Sequence, residues 1–151
     1  MSVTITSATG NDIPTLCGLL NILFTQEAEF APNEAAQCRG LDMIITNPEV
    51  GTILVARENN TIVGMVNLLC TVSTALGARV ALLEDMVVAP AARGKGVGSL
   101  LLQHAVEWAR SQGCKRITLL TDGDNEEAKR FYQAQGFATS KMVPMRLVIN
   151  K

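Results

Sequence analysis

Histidine, tryptophan and tyrosine occur once each in this chain, as His104, Trp108 and Tyr132, and aromatic residues make up only 4% of it. With one histidine and no C-x-x-C pair, no zinc or other metal site is expected. Cys17, Cys38, Cys70 and Cys114 are scattered, as reduced and mostly buried thiols of a cytoplasmic protein would be. The net charge is −1, so no broad basic face is expected for nucleic acid or an anionic membrane. No apolar run approaches the roughly 18 residues of a membrane span, and Met1-Ser2-Val3-Thr4 does not read as a signal peptide. What the chain has in quantity is apolar residues, 48% of its 151, which argues against disorder. That length suits one domain, residues 1–151, with a proper core. No linker, internal repeat or low-complexity segment divides it.

One stretch organises the rest: Leu82 to Leu102, LLEDMVVAPAARGKGVGSLLL. It opens as a strand, apolar from Val80 to Val88 except for Glu84 and Asp85, and Pro90 ends it. Gly94, Gly96 and Gly98 then alternate through a short basic turn, and Leu100, Leu101 and Leu102 begin an amphipathic helix. A helix start leaves about four N–H groups unpaired and carries roughly half a positive charge. Glycine lets a phosphate approach that backbone, and Arg93 and Lys95 add charge. The stretch therefore reads as a phosphate-binding turn. It is not a dinucleotide fingerprint, because the third glycine position falls on Ser99 or Leu101 in the two frames. Nor is it a P-loop, since Gly96 follows Gly94-Lys95 and Ala89 stands where the first glycine is required. The pattern present is R-x-x-G-x-G, Arg93 to Gly98, preceded by Val88-x-Pro90. The plain alternative is a tight strand–helix turn with incidental glycines.

The remaining elements follow from periodicity and punctuation. Val3 to Thr6 alternates as a strand. Asn11 or Asp12 should cap a helix running to about Glu27, with Ile13, Leu16, Leu20 and Phe24 on one face. A second helix is predicted from Asn33 to Ile45, with Gly40 a point where it could divide. Thr52–Ala56 and Ile62–Val72 read as an antiparallel hairpin, and Arg79–Val88 as the next antiparallel strand. The helix after the glycine turn should turn Leu101, Leu102, Ala105, Val106, Trp108 and Ala109 inward and stop at Gly113. Ile117–Thr121 is predicted as a buried parallel strand, Glu126–Gln135 as a helix, and Phe137 and Met145–Ile149 as the last strands.

A second pattern lies in Asn125 to Phe137, NEEAKRFYQAQGF, which fits N-x-x-A-x-x-F-Y-x-x-x-G-F at every position. Together with the glycine turn it resembles the GCN5-related N-acetyltransferases, the GNAT superfamily. The resemblance covers the C-terminal half in its motifs and the N-terminal half only in the order of elements. It implies an α/β fold: a mixed, mostly antiparallel sheet of about six to seven strands with flanking helices and a splayed parallel pair at its centre. It also implies acetyl transfer from acetyl-CoA (coenzyme A) to a primary amine. In such a site the backbone of Met86, Val87 and Val88 meets the pantetheine arm, and one N–H polarises the thioester carbonyl. Arg93, Gly94, Lys95, Gly96, Val97, Gly98 and Ser99 form the pyrophosphate turn, and Asn125 bonds the arm. Tyr132 stands where the family places a general acid, and a phenol of pKa about 10 is protonated at pH 7. Tyr132 could also be packed, as Phe131 is expected to be.

The acceptor side is less defined. Glu84 and Asp85 interrupt an apolar strand, and a carboxylate is costly to bury without a partner. The L-E-D pattern resembles polyamine and related small-amine acetyltransferases, which implies Glu84 as a base acting through water and Asp85 in substrate binding. Regular alternation would put the two on opposite faces. The alternative is that either pairs with Arg79, Arg146 or a backbone group for structure alone. Glu27 and Phe30 come from the region where the family builds its acceptor pocket, although a solvated acidic loop is the plain reading there. Cys70 and Cys114 are read as core thiols and His104 as solvated. Three functions remain open: acetylation of a small cationic amine, acetylation of a protein or peptide terminus, and a non-catalytic acyl-CoA sensor. Family habit adds a homodimer through the C-terminal strands or helices.

Overall fold

The computed structural model describes residues 2–27 and 31–150. Its elements are β1 (Val3–Ser7), α1 (Ile13–Gln26), α2 (Glu34–Ile45), β2 (Gly51–Glu58), β3 (Thr61–Ser73), β4 (Ala78–Val88), α3 (Val97–Ser111), β5 (Ile117–Leu119) and α4 (Glu126–Ala134). The strands form one sheet in sequence order. β1 to β4 pair antiparallel. β5 lies parallel to β4 and meets it only at Ala81, Leu82 and Leu83. The fold is therefore the α/β arrangement expected, with five strands among the described residues rather than six or seven, which leaves the parallel pair at the edge of the sheet rather than at its centre.

Period-two alternation splits the core between the two faces of the sheet. Leu54 and Ala56 of β2 face α3, where Leu101, Leu102, Ala105 and Ala109 are buried, and Phe131, Tyr132 and Phe137 close that layer. Ile53 and Val55 face α1 and α2, packing with Leu16, Leu20 and Leu41. Gln37, buried on α2, joins the two helices: its amide donates to the Cys17 carbonyl (3.2 Å) and to Asn21 (2.9 Å). Asn33 caps α2 by accepting from the Ala36 N–H, and Gly40 does not divide that helix. Asp12 precedes α1 but does not cap it. Its carboxylate accepts from the Thr9 N–H and from Arg57, both at 2.8 Å.

Two expectations fail at the C-terminal side. β5 ends at Leu119, before the predicted Thr121, and neither Phe137 nor Met145–Ile149 is in a strand. A three-residue edge offers few backbone groups on which another strand can form. Phe137 instead packs edge-on against Tyr132, and Met145, Leu147 and Ile149 are exposed. The four cysteines are free thiols, Cys17 buried and the others half-buried. His104 is exposed, as expected. None of the described helices is long and apolar enough to cross a membrane.

Candidate active site

The glycine turn adopts the geometry its sequence calls for. Gly94 and Gly96 have φ of +77° and +83°, the left-handed region that a side chain disfavours. Gly96 is the N-cap of α3, and the first helical bond runs from the Leu100 N–H to its carbonyl. The N–H groups of Val97, Gly98 and Ser99 are thus left without helical acceptors at the positive end of the helix. Gly98 has another task. A Cβ there would sit 3.2 Å from Met86 and 3.4 Å from Phe131, so its hydrogen lets α3 close on β4 and α4. Val97 turns its side chain into the core and has only backbone to offer. Arg93 and Lys95 are exposed, and Ser99 accepts a hydrogen bond from Gln135 (3.0 Å).

Beyond Leu83, β4 has no partner on its β5 side. The Ala89 N–H bonds Val63, so by alternation Val87 bonds β3 while Met86 and Val88 turn their backbone groups toward the gap. Of the three residues expected to meet a pantetheine arm, two are so directed. The Val88 carbonyl already accepts from Arg93 Nε (3.0 Å), which ties the turn to the strand end. An open strand edge leading to a free helix N-terminus suits an amide-bearing arm that ends in a pyrophosphate.

Asn125 is the N-cap of α4, its side-chain oxygen accepting from the Ala128 N–H (3.1 Å). Tyr132 lies about two turns on, its ring edge-on to Phe131 and Phe137 at 5.2 and 5.6 Å. It is both packed and partly accessible, and burial pushes its phenol up to about 12. A phenol so shifted holds its proton at neutral pH.

The acidic pair departs from the alternation rule. In the β3–β4 ladder Asn67 faces Asp85 and Leu68 faces Leu83, so Glu84 is an extra residue, a β-bulge. Ala81 and Leu83 face α3, as do Met86 and Val88, whereas Val87 faces α1 and α2. Without the bulge Asp85 would follow Leu83 into the α3 core. With it, Glu84 and Asp85 both line one cleft of about 290 Å³, together with Leu20, Phe24, Ala36, Gln37, Gly40, Leu41, Ile44 and Asn67. The expectation that they could not share a pocket is thus corrected, because it assumed a regular strand. Asp85 does not pair with Arg79, which bonds Gln112 instead. Its partner is Asn67, 3% exposed, whose Oδ1 accepts from the Asp85 N–H (2.7 Å) while its Nδ2 donates to the Asp85 carboxylate (2.8 Å).

Burial raises the Asp85 carboxyl to about 6, opposed by the Asn67 hydrogen bond and reinforced by the Glu84 charge. Burial also raises Glu27, helped by the charges of Asp85, Asp122 and Glu84. Glu27 therefore belongs to the same negative field, at the end of α1. Phe30 lies outside the described residues. Asn67 went unnoticed in the sequence; its signal was one amide in an otherwise apolar central strand. A second depression, about 500 Å³ along His104 and Glu107 of α3, borders neither the turn nor the acidic pair. Among the described residues no cluster of His, Cys, Asp or Glu could hold a metal ion.

Comparison with known proteins agrees with this geometry. The family model "Acetyltransferase (GNAT) family" matches residues 17–137. An uncharacterized N-acetyltransferase of Bacillus subtilis, YhfO, is 34% identical over 119 residues, covering 76% of this chain and 78% of that one. The aminoalkylphosphonate N-acetyltransferase of Salmonella typhimurium is 33% identical over 85 residues, 56% of this chain and 55% of its own. Among solved structures, an aminoglycoside N-acetyltransferase in complex with CoA superposes with a TM-score of 0.81 at 18% identity, over 97% of this chain and 95% of that one; at that identity it shows the fold alone.

Two predictions follow from the geometry. A carboxyl raised from 3.8 to about 6 binds its proton more tightly when folded, so it costs stability as pH rises through that interval. Asp85→Asn should therefore stabilise the protein, by about 2 kcal/mol more at pH 7.5 than at pH 4.5, in urea unfolding. Gly96→Val forces a β-branched residue into the left-handed region and should weaken acetyl-CoA binding at least about tenfold in calorimetry, with the far-ultraviolet spectrum retained.

Proposed function

The chain belongs to the GNAT family of acetyltransferases, and from that membership we propose that it moves an acetyl group from acetyl-CoA to the primary amine of a small cationic molecule. The carrying observation is the bulge that brings Glu84 and Asp85 into one cleft between the sheet and the helices α1 and α2. A walled cleft suits a small amine better than a peptide terminus, which needs an open groove. The aminoalkylphosphonate N-acetyltransferase, one of the similar proteins, is likewise named for acetylating an amine on a small molecule.

In this reading acetyl-CoA, held by the turn from Arg93 to Ser99, by the Met86 and Val88 backbone and by the Asn125 amide, supplies a thioester carbonyl with a thiol as leaving group. Asp85 and the field of Glu27 attract the ammonium form of the acceptor. Glu84, at the exposed side of the cleft, takes a proton from it through water. Tyr132 keeps its phenolic proton at neutral pH and gives it to the departing sulfur. No side chain need become acylated, which leaves the four thiols without a catalytic part.

Tyr132→Phe should lower kcat by about 10²–10⁴-fold with acetyl-CoA affinity nearly unchanged, measured by free-thiol release beside calorimetry. Equal loss in both quantities would refute the assignment. Because Asp85 must be ionised to hold an ammonium, kcat/KM for the amine should fall as pH drops through about 6, an inflection separate from the amine's own titration and absent in Asp85→Asn.

A further inference from the structure

The cleft that holds the acidic pair is polar at one end only. Its walls are Leu20 and Phe24 of α1 and Leu41 and Ile44 of α2, and its volume, about 290 Å³, stands at the low end of small-ligand pockets. The two amides that line it are already engaged. Gln37 spends both donors on Cys17 and Asn21 and accepts from the Asn33 N–H (2.7 Å). Asn67 is committed to Asp85 through both its oxygen and its nitrogen. What is left to meet a ligand is the carboxylate pair and an apolar surface. A hydroxyl or second ammonium placed against Leu20, Leu41 or Ile44 would lose its water and find no unengaged polar group among the described residues that line the cleft, a penalty that rejects polar analogues.

We propose that the acceptor is a primary monoamine with an apolar body, alkyl or arylalkyl, its ammonium at Asp85 and Glu84 and its body against Leu20, Phe24, Leu41 and Ile44. This rests on the N-acetyltransferase reading above and narrows it. Polyamines and aminoglycosides are then poor acceptors, although the L-E-D pattern resembles polyamine enzymes. The bulge sets the orientation: Met86, next along β4, turns its backbone to the gap, so the nitrogen end lies near the transfer site and the body extends away between the helices. In the transfer, the amine nitrogen bonds the acetyl carbon as the carbon–sulfur bond breaks. Of the two protons the ammonium loses, one reaches the leaving sulfur and the other goes to solvent.

The test is free-thiol release by the full chain with saturating acetyl-CoA. The acceptors are propylamine through hexylamine, phenethylamine, 1,5-diaminopentane, spermidine and kanamycin. The diamine and spermidine belong in the panel because Glu27, at the end of α1, lies in the field of Asp85, Asp122 and Glu84. In the alkyl series kcat/KM should climb about fourfold per added methylene until the cleft is full. Pentylamine should exceed 1,5-diaminopentane by at least about tenfold. A flat series, or a preference for the diamine, spermidine or kanamycin, overturns the acceptor class and leaves the acetyltransferase reading standing. Acetyl-CoA binding with no amine in the panel acetylated overturns both. Ile44→Asp, which puts a carboxylate on the apolar wall, should shift the ratio of 1,5-diaminopentane to pentylamine at least about tenfold toward the diamine. An unchanged ratio in a folded variant contradicts the placement of the acceptor's body, and the alkyl series on the wild type does not depend on that variant folding.

Discussion

At Asp85 the backbone N–H leaves the sheet ladder and bonds the side chain of Asn67, and the carboxylate of the same residue receives the other end of that amide. This reciprocal pair accommodates the extra residue at Glu84 and so fixes which face each later residue of β4 presents. Upstream, Ala81 and Leu83 stay with the α3 core. Downstream, Met86 and Val88 recover that face with their backbone groups aimed at the gap beside β5, and Val87 returns to α1 and α2. A bulge elsewhere on the strand would bury a carboxylate among leucines or take the Met86 and Val88 edges away from the gap. The amide is buried, so its loss would also leave a polar backbone group without a partner.

In the proposed reading the same strand serves two chemistries in series. Its carboxylates face a cleft walled by α1 and α2, its open edge faces the gap, and its end is tied by Arg93 to the turn that exposes the N-terminus of α3. Gly98 keeps α3 close to Met86 and Phe131, which brings the glycine turn and the α4 motif to one place although they are far apart in sequence. Tyr132 is positioned by aromatic packing rather than by a loop, so its ring has little freedom. The expense of the arrangement falls on Asp85 and Glu27, whose carboxyls are held away from water and near like charges.

How much of this the sequence disclosed depends on the range of the interaction involved. The glycine turn was legible because strand, proline, glycines and helix start are local signals, and the structure gives Gly94 and Gly96 the backbone they imply. The motif around Asn125 and Tyr132 is local to one helix and its cap, and the structure shows that cap and the aromatic packing of Tyr132. Glu84 and Asp85 were legible as residues out of place in an apolar strand, but their facing was not. The bulge arises from an amide 18 residues away across the sheet, and period-two reasoning carries no information about a register shift. The closing strands were misread for a related reason. Apolar, β-favouring residues such as Leu147 and Ile149 signal a strand only where an edge is long enough to receive one, and β5 has three residues.

The most direct measurement of the central claim is a carbon-13 titration of the Asp85 carboxyl in the intact protein, with and without pentylamine. A carboxyl held by Asn67 in a cleft that receives an ammonium should titrate at about 6 and move lower when the amine is added, because a nearby cation favours the ionised form. A midpoint near the ordinary 3.8, indifferent to the amine, would mean that Asp85 is solvated and that the bulge does not build an acceptor site.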